Sequence, residues 1–493
     1  MVADLEPLVD DEYPVAPAES LVLLRRLGVA LDNRATRIQR FDNYYTGVQR
    51  LAFATSKFRQ AFGSLFGAFA DNFCALIVDA VEERLNVEGF RIGPSEGEDT
   101  DKTGDAIAWR MWQENELDAF SQIAHTEALV KELSYILVGP GDDPNVPEIT
   151  VEDALASIVV YDAGSYRTRR AGLKRWRDDD GYLNATLYLP DRIEKYRSRS
   201  KVTTSVNWAA ARWLPRDVPG EQWPLDNPLG VVPLVPLINR PRLDGTGQSE
   251  LLSVLPIQDA INKLVMDMIV ASEFSAYRQR WATGIEIEID EQTGEATQEF
   301  QADVARMWAS ANDAAKFGTL EASDLQPFVS GVEMLIQHLA SQTRTPYHYF
   351  LQHGGQPPSG DSLRAAEAGL NFKSKRKQRY FGESWEEVIR LGFLAIGDKA
   401  RGSIAATETI WRDSEQHTEA QRADALVKMG SLGVPEEVLW EKWGASPTEI
   451  ARWKEIRDAA PQVPVTTPTP QKVPETVAGI APAASDAAGE PAT

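Results

Sequence analysis

Between Ser249 and Leu394 the apolar positions change their period several times. From Pro256 to Tyr277 the residues Ile257, Ile261, Leu264, Met268 and Phe274 keep one stripe at helical spacing. Asp259, Asn262, Lys263 and Asp267 take most of the polar positions between them. Pro256 fits either a kink or the first turn of a fresh helix. A run of about 22 residues at 1.5 Å rise predicts a rod of roughly 33 Å. Arg280–Ile289 then alternates with period two, which predicts a strand closed by a turn at Asp290–Gly294. Helical spacing returns around Gly331–Ser341. A Gly/Pro loop follows, and a third helix is predicted from Ser362 to about Ile396, with Gly369 and Gly382 as candidate bends.

The rest of the chain alternates helical and strand patterns. Helical signals start at Ser20–Leu24, continue through Arg34–Asn43 and close at Gly47. Asn72–Leu85 carries Leu76, Ile77, Ala80, Val81 and Leu85 on one helical face, and Val87–Ile92 reads as a short strand. Two further helices are predicted at Ala106–Leu117 and Phe120–Leu133, then a buried strand at Ser134–Gly139. Thr150–Tyr161 and Arg169–Arg177 are strand-like. Asp178-Asp179-Asp180-Gly181 predicts a two-residue hairpin turn into the alternating run Tyr182–Leu189. Residues 190–245, rich in Pro and Trp, predict an irregular linker packed against a core. Asp413–Trp453 predicts two or three helices with turns at 430–433 and 443–445. Residues 1–18 and the Pro/Thr/Ala/Val-rich stretch beyond Ala460 predict disordered extensions.

Composition narrows the class. With 493 residues, 43% hydrophobic and 25% charged, the chain is that of a folded protein of several domains. Its formal charge of −22 makes the average surface repel DNA, so any nucleic-acid contact must be local or weak. Cys74 is the only cysteine, which excludes an intrachain disulfide and a thiolate zinc site. It lies in the apolar run Phe73–Val78, where a buried inert thiol is expected. The acidic, Pro-containing start is unlike a signal peptide, and no apolar run approaches the ~18–20 residues of a membrane span. A soluble chain made in a reducing compartment is expected.

Catalytic patterns find little support. Gly355-Gln356-Pro357-Pro358-Ser359-Gly360-Asp361-Ser362 has the glycine spacing of a phosphate loop. However, Asp361 stands where the lysine must be, and two prolines remove backbone donors. A surface loop leading into a helix fits better. The histidines His125, His338, His348, His353 and His417 form no HExxH, and His125-Thr126-Glu127 lacks the CxxC partner of a deaminase. His348 and His353 flank the Gly/Pro loop, as a metal pair or as loop and packing residues. Asp178–Asp180 fits no calcium-loop spacing, and no G-x-S-x-G elbow is present. No catalytic residue, metal site or cofactor is therefore assigned. One basic cluster stands against the acidic background: Lys373, Lys375, Arg376, Lys377 and Arg379. It is either a solvated segment paired to acidic neighbours or a band facing DNA or a subunit boundary.

The chain resembles the portal proteins of tailed bacteriophages, in the branch common among phages of actinobacterial hosts. The residues that carry the resemblance lie in Asn72–Arg91, Trp112–Gly139, Lys174–Tyr196 and Asn227–Leu243. The most specific are Glu250-Leu251, Gln258-Asp259-Ala260-Ile261-Asn262-Lys263, Gln279–Gly284, Thr343-Arg344-Thr345-Pro346 and Pro358–Ser362. The resemblance implies an α+β, multi-domain portal fold: helical stem and crown, a mixed α/β wing and a small β-containing clip. It implies a wing at 19–248, stem helices at 249–277 and 326–351, and a clip at 278–325. A long bent helix is implied at 361–400 and a crown at 401–460, between an arm at 1–18 and a tail at 461–493. The implied tunnel loop is Gln352, His353, Gly354, Gly355, Gln356, Pro357, Pro358, Ser359 and Gly360. The implied clip contact with an adaptor is Trp281, Ile285, Ile287 and Ile289.

The function implied is a ring, usually of twelve copies, at one capsid vertex, through which the genome is packaged and ejected. Its implied partners are other copies of itself, the major capsid protein, the terminase large subunit, a head–tail adaptor, a scaffolding protein, and double-stranded DNA held weakly. No membrane is implied, and the location is the virion, with the host cytoplasm during assembly. The alternatives are another structural protein of the capsid or head–tail joint, or a nuclease or NTPase.

Overall fold

The computed structural model describes residues 16–49, 71–93, 101–165, 167–202, 208, 211–216, 220, 222–276, 280–284, 314–319, 324–350, 360–404, 406–415 and 419–459. Two compact units divide the chain, the first to Pro447 and the second from Thr448. The one helix described in the second unit is the segment Pro447–Ala459, which begins on the last residue of the first.

The first unit opens on α1 (Ala18–Tyr45), whose buried Leu24, Leu27, Leu31, Ile38 and Phe41 recur at helical spacing. Gly47, at φ +77°, lies just beyond its end. In α2 (Phe73–Glu82), the Asn72 side chain accepts from the Ala75 backbone N–H at 3.4 Å and caps the helix. Helices α3 (Lys102–Glu114) and α4 (Leu117–Lys131) follow the strand β1 (Val87–Ile92). Cys74 is fully buried and its thiol is pushed up to about 12 by burial, so it is an inert core group.

Two antiparallel sheets occupy the next stretch. β2 (Leu133–Pro140) pairs with β3 (Pro147–Glu152) on one side and with β10 (Leu234–Ile238) on the other. β4 (Ser157–Tyr161), β5 (Arg169–Arg177), β6 (Leu183–Tyr188), β7 (Arg192–Ser198) and β8 (Trp213–Pro215) form a second sheet in sequence order. β9 (Leu225–Asp226) pairs with β7 as well. Residues 190–245 are therefore not a mere linker. Among the described residues they supply four strands, and Pro236 is tolerated because β10 is an edge strand of its sheet. The β5–β6 turn also differs from expectation. Gly181 donates to the Asp178 carbonyl and Asp178 N–H to the Tyr182 carbonyl, so three residues form the loop, with Gly181 at φ +88°.

The long helix α7 (Gly360–Ala395) passes through the main core without interruption at Gly369 or Gly382. It is preceded by α5 (Leu255–Ala276), α6 (Gln326–Thr343) and a 3₁₀ turn at Tyr347–Tyr349. Phe381, Trp385, Ile389 and Phe393 of α7 are buried beside Trp112 and Phe90. The Trp112 and Trp385 rings meet edge to face, 4.9 Å between centroids. Each such ring contributes roughly 1.5–3 kcal/mol by leaving water. After α8 (Lys399–Gly402), β13 (Thr407–Trp411) returns across the chain to pair with β1. α9 (Glu419–Ser431) and α10 (Glu436–Trp443) complete the unit, and neither helix has a buried residue.

Candidate functional site

The α5–α6 pair is fastened at its base by side chains that the sequence marks only as polar gaps in an apolar stripe. Gln258 is fully buried. Its Oε1 accepts from the Phe73 backbone N–H at 3.0 Å, and its Nε2 donates to the Asp71 carbonyl at 2.7 Å. The Tyr44 hydroxyl donates to Asp259 at 2.7 Å, and burial followed by that carboxylate pushes the phenol up to about 12. The residues between α5 and α6 include a two-stranded antiparallel ribbon, β11 (Arg280–Thr283) with β12 (Lys316–Thr319). A Cβ at Gly318 would lie 2.5 Å from the Trp281 ring across the ribbon, so a larger residue there would have to displace that ring. Trp281 itself is 43% exposed. Ile285, Ile287 and Ile289 lie outside the described residues.

Gln352, His353, Gly354, Gly355, Gln356, Pro357, Pro358 and Ser359 also lie outside the described residues, and Gly360 is the first residue of α7. His348, the described member of the histidine pair, is 3.9 Å from Glu367. No group of His, Cys, Asp and Glu able to hold a metal exists among the described residues. His125 is fully buried. It stacks on Phe381 at 5.3 Å, and its Nε2 accepts from the Trp385 indole at 2.9 Å. Burial drives its pKa down to about 3, against a smaller opposing pull from the Leu85 backbone. It is a neutral core histidine.

The basic cluster of α7 does not stay together. Lys373 and Lys377, four residues apart, share a face and both turn inward onto Glu250. Lys373 Nζ is 2.9 Å from Glu250 and also donates to the Thr343 carbonyl at 3.1 Å. Lys377 donates to Glu250 and to Asn239 Oδ1. Arg240 closes the cluster with bonds of 2.8 and 2.7 Å to the two Glu250 oxygens. Burial alone would raise the Glu250 carboxyl. Lys373, Lys377 and Arg240 outweigh it and hold the group well below the usual carboxylate range. Burial lowers Lys377 to about 8, with Glu250 opposing.

Both lysines are buried, so they cannot form part of an accessible band: a helix that spreads five cations around its circumference must bury some where its neighbours pack. Lys375 pairs with Glu415 at 2.7 Å and lies 3.7 Å from Asp413. Arg376 and Arg379 remain exposed, with Arg376 over the Tyr380 ring at 5.8 Å. Glu250 belongs to a motif of the resemblance, but nothing near it in sequence names its partners. The four-residue spacing of Lys373 and Lys377 is the one signal that could have paired them with a common acid.

A cleft of about 1240 Å³ opens between α7, the β1–β13 pair and α9–α10, lined by both signs of charge. Glu386 on its floor accepts from the Thr409 backbone N–H at 3.0 Å, and Arg412 reaches Glu88 at 3.0 Å. These carboxylates serve structural bonds. Among the described residues no helix is long and apolar enough to cross a membrane.

Residues 29–462 match the family model described as "Phage portal protein, SPP1 Gp6-like". The chain is 32% identical over 403 residues to the portal protein of Mycobacterium phage D29, covering 77% of this chain and 78% of that one. It is 31% identical over 446 residues to the portal protein of Mycobacterium phage L5, covering 84% and 86%. Among solved structures it is similar to a chain of the virion of a native gene transfer agent particle. That match has 11% identity and a TM-score of 0.42, covering 80% of this chain and 95% of that one.

Proposed function

The chain belongs to the SPP1 Gp6-like family of phage portal proteins, and from that premise we propose that it forms a ring, of twelve copies, at one capsid vertex. DNA enters through the ring during packaging and leaves through it at ejection. The observation that carries this reading is the order of parts within the matched region: α5, the small ribbon β11–β12, α6, then the Gly/Pro stretch and the 36-residue α7. In this reading 249–277 and 326–351 are the stem, 278–325 the clip, and 352–360 the tunnel loop. Residues 361–400 are the long helix, 401–460 the crown and 19–248 the wing. The clip, with Trp281, Ile285, Ile287 and Ile289, takes the head–tail adaptor after the terminase large subunit has left. The major capsid protein and a scaffolding protein meet the outer surface during assembly in the host cytoplasm.

A conduit must let DNA slide, so tight phosphate binding would act as a brake. A chain of net charge −22 that buries two of its α7 lysines on Glu250 suits such a wall. Portal proteins are structural, and a non-enzymatic role agrees with the family. Negative-stain microscopy of the purified chain tests the reading: rings with a central hole are expected, and a uniform monomer or an open filament would sink it. Removing Gln352–Gly360 is expected to spare ring assembly and to impair packaging or retention of DNA. A deletion phage that packages and holds its genome normally removes the tunnel-loop assignment.

A further inference from the structure

A guanidinium taken out of water must find partners in several directions, and Arg84 finds them on three elements at once. It lies just beyond the end of α2 and is 7% exposed. Its Nη1 donates at 2.8 Å to the Ala80 carbonyl, one of those a helix leaves open at its C-terminus. Its Nε donates to Asn371 Oδ1 of α7 at 3.2 Å, and its Nη2 to the Tyr349 hydroxyl of the 3₁₀ turn at 2.9 Å. The Glu367 carboxylate of α7 stands between the same two elements. One of its oxygens is 3.7 Å from Arg84 and the other 3.9 Å from His348. Glu367, Asn371 and Gln378 follow at intervals of four and seven residues and share one face of α7. Gln378 Nε2 completes the join by donating to the Arg84 carbonyl at 3.0 Å.

The 3₁₀ turn and α7 are the two roots from which the chain between Phe350 and Gly360 departs. The turn is held at both ends of α2. Phe350 is buried and its ring meets Phe73 edge to face at 5.7 Å, while Tyr349 bonds to Arg84. A lysine would gather its donors at one point on a flexible stem, whereas the planar fork of an arginine holds fixed angles to separate acceptors. We propose that Arg84 is the positioning residue for the segment between Phe350 and Gly360: one rigid fork sets the separation and direction of its two roots. A buried arginine that only filled a core would need its partners on one neighbour. Here the bonds are divided between the two roots, and that division carries the inference. It rests on the reading of 352–360 as the tunnel loop of a ring, and it assigns the setting of that loop to a residue of the wing.

Hydrogen exchange of the full chain tests the clamp whether or not a ring forms. Arg84→Lys keeps a cation for Glu367 and loses the fork. Exchange in 344–350 and 360–371 is expected to accelerate, while 255–270 keeps its protection. Tyr349→Phe removes a single hydroxyl and is expected to loosen the turn in the same way. The two substitutions together should add little to Arg84→Lys alone, because both break one bond. In phage carrying either variant, rings are expected to form and retention of DNA to fall. Ile38→Val, in a core cluster separate from that of Phe350, is the control for stability. It is expected to lower the unfolding midpoint and to leave DNA retention intact. Unchanged exchange at both roots in Arg84→Lys overturns the positioning role. So does an equal loss of DNA in Ile38→Val, which assigns the effect to general stability. Accelerated exchange with normal retention of DNA upholds the clamp and overturns the tunnel-loop reading on which its use depends.

Discussion

Glu250 shows what one buried carboxylate demands of its surroundings. It is fully buried and faces Lys373, Lys377 and Arg240, so the cluster carries more positive than negative charge before its bonds to Asn239 and Thr343 are considered. Breaking a buried ion pair from one side costs more than the pair contributes, because the remaining charges stay out of water. Glu250→Gln is therefore expected to destabilise the chain by about 3–5 kcal/mol. Lys377→Met is expected to cost less, since Glu250 keeps Lys373 and Arg240. Urea unfolding of both variants checks the order, and equal losses would contradict it. His125 adds a pH dependence. Its folded pKa of about 3 lies below the unfolded value of about 6.5, so the unfolded chain binds the proton first. The neutral ring's contribution is complete above about pH 6.5 and is lost as pH falls from there toward 3. Glu250, also depressed, contributes stability above the unfolded carboxylate range that is lost only at lower pH. The fall in unfolding midpoint between pH 7.5 and 5 should shrink in His125→Gln; an unchanged fall would assign that slope to other groups.

At the scale of elements, what could be read in the sequence depended on whether an element announces itself locally. Long periodic helices did: the stripe from Ile257 places α5, and the span expected from Ser362 to about Ile396 is α7 within a residue or two. Short strands did so unevenly: Val87–Ile92 reads as a strand from its own residues, whereas the strand it pairs with does not. Thr407–Trp411 is five residues long, and its partner Val87–Ile92 lies more than 300 residues upstream, so only the fold brings them together. β10 was obscured by Pro233 and Pro236, which argue against a strand unless that strand is an edge. There the Pro236 carbonyl accepts from Ser384 of α7 at 3.0 Å, so the helix supports the edge strand. The basic cluster was visible as composition and misleading as a unit, because a helix distributes adjacent residues around its axis. In the β11–β12 ribbon, Gly318→Ala is expected to push Trp281 off its neighbour and loosen both strands. Hydrogen exchange in 280–284 and 314–319 should then accelerate while α5 and α6 keep their protection. Unchanged exchange in the ribbon would mean that Trp281 re-seats without cost.

The whole molecule is set by a mismatch between its charge and the polymer that the proposed ring conducts. A chain of −22 gains little from DNA on average, and the residues best placed to reverse that locally are mostly spent within the subunit. Lys373 and Lys377 neutralise Glu250, and Lys375 is held by acidic neighbours. Few phosphates can then be neutralised per subunit. Because each neutralised phosphate releases counterions, the logarithm of the binding constant falls with the logarithm of salt by about 0.9 per phosphate on duplex DNA. A protein with 6–10 such contacts shows a steep line. The assembled ring is expected to bind short duplexes weakly, with a slope shallower than about −3 and no dependence on sequence. Fluorescence anisotropy across a salt series measures it directly. A slope steeper than about −6 would mean a cationic lining that the described residues do not supply, and the sliding conduit would have to be replaced by a gripping one.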